Sequence, residues 1–69
     1  MWKSLIRYRE LKGWSKAQLA EKSGLSQTYI GELEAGKKQP TVRTVNKLAK
    51  ALGVTVEALI DDLIDEQSA

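Results

Sequence analysis

Four times in this chain an apolar residue or a proline is followed by Ser or Thr, with a further apolar residue four positions after the hydroxyl. The instances are Trp14-Ser15…Leu19, Leu25-Ser26…Ile30, Pro40-Thr41…Val45 and Val54-Thr55…Leu59. Each hydroxyl can accept from the free N–H groups of a helix start, and each apolar pair can close as a staple on the entering chain. In the first instance Gln18 lies at the third helical position and completes a capping box with Ser15. The stops are equally regular: Gly24, Gly36 and Gly53 fall where the glycine after a helix end belongs. A chain punctuated in this way is committed to a series of short helices.

A further helix precedes them. From Lys3 to Lys12, Leu5, Tyr8 and Leu11 recur three apart with Arg7, Arg9 and Lys12 between them, and Gly13 is the stop. The fourth helix, Thr41 to Leu52, should bury Val45, Leu48, Ala49 and Leu52, an i, i+3, i+4, i+7 stripe. The fifth, from Thr55, should bury Val56, Leu59 and Ile60, and Glu57 suits its N-terminal dipole. No stretch shows strand alternation, low complexity or linker composition. The expected fold is all-α: five short helices in one domain over residues 1–69, with a core at about 4–60 and an acidic tail or helix extension at 61–69.

Composition removes most chemistry. At 69 residues the chain is near the lower limit for a single core. It has no cysteine and no histidine, which excludes disulfides and thiolate metal sites and removes the usual zinc ligands and general bases. No glycine loop is built to cradle a phosphate. An enzyme, a metal or a cofactor is therefore not expected. No apolar run approaches the roughly 20 residues that span a bilayer. MWKSLIRYRE lacks the continuous apolar segment of a signal peptide. A soluble, cytoplasmic domain is expected.

The charge is sorted along the chain. All 11 Lys and Arg lie in residues 1–50 against four Glu, giving +7, while residues 51–69 hold five acids and no base, giving −5. A basic body with an acidic tail points to a polyanionic partner for the body. Within that body, Ser15 to Gly36 reads as two helices joined by a tight turn at Ser23-Gly24-Leu25. The second carries Ile30 and Leu33 on one face and Gln27, Thr28, Gly31 and Glu32 on the other. One face suits a core, the other a DNA groove.

Taken together, these residues resemble the phage repressor and Cro-type helix-turn-helix family, also called the xenobiotic response element family. The resemblance covers roughly residues 4–60. It rests on Arg9, LAEKSGLS at 19–26, the I-x-x-L-E-x-G pattern at 30–36, Pro40 and LAKALGV at 48–54. It implies that the second helix lies across the DNA backbone and that the third enters the major groove by its N-terminal end. Gln27, Thr28 and Glu32 then occupy base-reading positions. Gln27 can donate and accept at an adenine edge, Thr28 offers a hydroxyl and a methyl, and Glu32 suits a cytosine amine. Gly31, which costs roughly 1 kcal/mol against Ala within a helix, would give clearance.

Backbone contacts are implied for Lys16 and Ala17 at the start of the second helix, for Lys37 and Lys38 in the following loop, and for Arg43. Tyr29 flanks this face, where its hydroxyl could reach a phosphate or its ring could pack on a neighbouring helix. Relatives place Gln at the position of Lys16, where it braces the first reading residue; Lys cannot accept that bond. Glu34 falls on the Ile30/Leu33 side, and the resemblance implies a partly buried ion pair with Arg9.

Such domains usually bind as two-fold dimers. Leu59, Ile60, Leu63 and Ile64 form a stripe longer than the core needs, so Leu63 and Ile64 are expected at a dimer interface. The alternative is that the stripe folds back on the first helix near Trp2 and Leu5. The acidic tail should point away from DNA. The expected function is a sequence-specific, double-stranded DNA-binding transcriptional regulator, in the simplest case a repressor acting as a homodimer on a pseudo-palindromic operator. The alternatives are an antitoxin that also holds a toxin, or a module that binds a regulatory protein partner.

Overall fold

The computed structural model describes the backbone of residues 1–68 and the side chains of residues 1–63. The described residues form five helices: α1 (Lys3–Leu11), α2 (Lys16–Ser23), α3 (Gln27–Ala35), α4 (Val42–Leu52) and α5 (Val56–Ser68). The four Ser/Thr starts all act as caps. Ser15 Oγ accepts from the Gln18 amide at 3.1 Å while Gln18 Oε1 accepts from the Ser15 amide at 2.8 Å, closing the capping box. Ser26, Thr41 and Thr55 accept from the amides of Tyr29, Thr44 and Ala58, each at 3.1 Å. Gly24, Gly36 and Gly53 end their helices with φ near +75°, +81° and +70°.

The core sits where the five helices converge. Leu5, Leu19, Ile30, Leu33, Leu48, Leu52 and Leu59 are all at most 2 % exposed, one or two from each helix. Burying a side chain of this kind is worth about 1.5–3 kcal/mol. Helix α2 packs on α3 and α4, and α5 packs on α1 and α4. Tyr8, Trp14, Leu25 and Tyr29 close the sides.

Two burial expectations change. Leu11 is 72 % exposed, because α1 ends there and the last residue of the stripe runs past its partners. Val56 and Ile60 are half-buried: they turn from the core toward a groove beside α4.

The largest addition is Trp2, which is 1 % exposed and lies outside the expected core. Its amide donates to Glu34 O at 3.0 Å, and its indole Nε1–H donates to Leu59 O at 2.7 Å. Helix α1 has no side-chain cap from its own flank. The cap comes from α5 instead, where Asp62 Oδ2 accepts from the Lys3 amide at 2.8 Å. This part of the apolar stripe therefore folds back onto α1. Leu59 is completely buried there, Leu63 is half-buried, and the Ile64 side chain lies outside the described residues.

Candidate nucleic-acid interface

Helices α2 and α3 meet through a turn with little freedom. Gly24 takes the left-handed conformation, the Leu25 amide donates to Ala20 O at 3.1 Å, and Ser26 caps α3 at once. On α2, the buried Ser23 hydroxyl donates to Leu19 O at 2.7 Å, so a polar group beside the turn is satisfied locally. Ile30 and Leu33 anchor α3 in the core, which fixes the opposite face outward.

That outward face begins with Gln27 and Thr28, both exposed in the first turn of α3. Glu32 lies one turn on and is half-buried. Its Oε1 stands 3.5 Å from Lys38 Nζ, so a candidate base-reading acid and a candidate backbone-contacting base already meet. Gly31 precedes Glu32 on this helix, and a Cβ built there meets nothing within 4 Å. Packing within the protein therefore does not require glycine at this position.

The remaining bases surround this face. Lys37 and Lys38 are exposed just beyond Gly36, and Arg43 is exposed in the first turn of α4. Lys16 and Ala17 are exposed in the first turn of α2, where amides have no acceptor within their own helix. Tyr29 is placed differently. It is half-buried, and its hydroxyl lies 3.1 Å from Thr44 Oγ1, which also receives the Thr41 hydroxyl at 3.0 Å. This contact ties α3 to the start of α4.

Beneath the face lies an ion pair. Arg9 Nε and Nη2 donate to Glu34 Oε2 and Oε1 at 2.7 and 3.1 Å, with the two side chains 13 % and 5 % exposed. The remaining nitrogen, Nη1, donates to Trp14 O at 2.9 Å. The hydrogen bond to Glu34 raises the Arg9 pKa above its ordinary value, against a smaller opposing effect of burial. One guanidinium thus joins α1, the end of α3 and the entry into α2. Trp14 itself lies between two ammonium groups, Lys12 and Lys22, each 5.7 Å from its ring centroid, within cation–π range. Sequence reasoning missed this cluster, because Lys12 and Trp14 lie in the turn after α1 while Lys22 lies on α2.

Comparisons with known proteins agree with this geometry. Residues 5–59 match the protein family described as Helix-turn-helix. The chain is 43 % identical over 57 residues to the uncharacterized HTH-type transcriptional regulator y4dJ of Sinorhizobium fredii, covering 83 % of this chain and 74 % of that one. It is 45 % identical over 53 residues to control protein C.SmaI of Serratia marcescens, covering 77 % and 63 %. It is 35 % identical over 69 residues to the immunity repressor protein of Bacillus phage phi105, covering 97 % of this chain but 46 % of that protein. No solved structure matches the chain.

Proposed function

Because this chain belongs to the helix-turn-helix family, we propose that it binds double-stranded DNA sequence-specifically as a transcriptional regulator, in the simplest case a repressor. Its role is binding rather than catalysis, in the cytoplasm. No helix among the described residues is long and apolar enough to cross a membrane. The observation that carries the proposal is the first turn of α3. Gln27 and Thr28 stand exposed there, on a helix held from behind by the Arg9–Glu34 pair. The N-terminal end of α3 enters the major groove, where Gln27 reads an adenine edge, Thr28 reads a neighbouring base and Glu32 meets a cytosine amine.

Lys37, Lys38, Arg43 and the first amides of α2 at Lys16 and Ala17 hold phosphates and set the register. With the Tyr29 hydroxyl engaged by Thr44, its part is to position α3 against α4. One domain of this size covers a single half-site, so two copies bind a two-fold operator.

Selection of bound duplexes from a random pool, followed by a salt titration on the winner, tests the proposal. The expected result is an enriched two-fold site whose affinity falls steeply with salt. A pool that enriches no sequence would contradict it.

A further inference from the structure

The chain leaving α3 is tied back to Glu32 twice. Gly36 takes the left-handed conformation, its amide donates to Leu33 O at 3.2 Å, and the Lys37 amide donates to Glu32 O at 2.9 Å. This closure fixes the direction in which the loop departs from the helix. One residue later the Lys38 side chain comes to the Glu32 carboxylate, with Nζ 3.5 Å from Oε1. Among the described residues, no other base lies within ion-pair distance of Glu32, and the neighbouring Lys37 makes no ion pair.

A carboxylate on this face meets an obstacle that Gln27 and Thr28 do not. Double-stranded DNA carries a negative charge about every 1.7 Å along its axis, so a bare Glu32 is repelled as it nears the groove. Lys38 cancels that charge. The pair is open to water in the free chain, with the Lys38 and Glu32 side chains 58 % and 33 % exposed, and is therefore weak there. It strengthens where a groove displaces the water. An ammonium has three donors, so one can stay on Glu32 while another reaches a phosphate. Oε1 faces Lys38, which leaves Oε2 to accept from a base.

We infer that Lys38 is a specificity-determining residue that acts through Glu32. It is a positioning residue: the ion pair balances the carboxylate's charge at the groove and leaves Oε2 for a cytosine amine. The base at that position is chosen by the pair rather than by Glu32 alone. The inference rests on the DNA-binding reading and deepens it, because it gives one loop lysine a part in sequence choice that a phosphate contact by itself does not have.

Selection from a random duplex pool tests it, followed by affinities for the winning site and its single-base variants, with circular dichroism to verify that each protein is folded. Wild type should prefer cytosine about tenfold at one position of each half-site, and Glu32→Gln should abolish that preference. Lys38→Met should reduce it at least about threefold and leave the preference at the Gln27 position unchanged. Lys37→Met should leave both preferences intact. In the Glu32→Gln background, Lys38→Met should weaken all duplexes alike and shift no base preference. A Lys38→Met protein that binds every duplex more weakly but keeps its full cytosine preference would overturn the inference, leaving Lys38 a phosphate contact only. So would an equal loss of preference in Lys37→Met, which would point to general charge rather than pairing, or a wild-type site that Glu32→Gln does not alter. A wild-type pool that enriches no sequence would instead bring down the DNA-binding reading itself, and the inference with it.

Discussion

Arg9 grips Glu34 through two parallel N–H···O bonds of 2.7 and 3.1 Å and uses its remaining nitrogen on Trp14 O at 2.9 Å. The charge needed to orient α3 is thereby matched by an opposite charge and satisfied on three sides. Removing one partner should cost far more than removing both. Glu34→Ala leaves an almost buried guanidinium unpaired and should lower stability by about 3–5 kcal/mol in urea denaturation. Arg9→Met with Glu34→Leu should recover most of that loss. A double variant as unstable as Glu34→Ala would show that the pair is not the cause.

Trp2 should be worth as much. Trp2→Ala empties a site 1 % exposed and should cost about 3–5 kcal/mol, a large fraction of a small domain's stability. Trp2→Phe keeps most of the packing but leaves Leu59 O without its indole donor, and should cost about 1–3 kcal/mol. Thermal and urea melts followed by circular dichroism distinguish these outcomes.

Asp62 caps a helix far away in sequence. Asp62→Ala should destabilise the domain by about 1 kcal/mol, the usual loss for a helix N-cap. Asp62→Asn keeps an acceptor for the Lys3 amide and should lie within a few tenths of wild type. Equal losses for the two variants would mean that the carboxylate charge matters more than the hydrogen bond.

For the DNA-facing bases, Lys37→Ala should weaken specific and random duplexes alike. It should also reduce the slope of log affinity against log salt by about 1, the signature of one lost phosphate contact. An unchanged slope would remove Lys37 from the backbone-contacting set.

The helix starts were legible in the sequence because each cap is local: a hydroxyl, an amide three residues on and an apolar pair. The side of α3 on which Glu34 falls followed from Ile30 and Leu33 by periodicity alone. What stayed hidden was the work of residues that act across long separations. Trp2 precedes the first periodic residue, so no local pattern marks it as core, yet its bonds reach Glu34 and Leu59. Asp62 looked like one more acid in a solvated tail, because no local pattern announces a carboxylate that caps another helix. Tyr29 had two possible partners, and only the placement of α4 brought Thr44 to its hydroxyl. Leu11 shows the converse limit: apolar character fits a stripe, but where the element ends decides whether the residue is covered.

If the exposed first turn of α3 reads base sequence, Gln27 is its sharpest point. The most direct measurement is the affinity of wild type and Gln27→Ala for the selected duplex and for random DNA at one fixed salt concentration. The expected result is a loss of about 1–3 kcal/mol on the selected duplex and little change on random DNA. Equal weakening on both would contradict it.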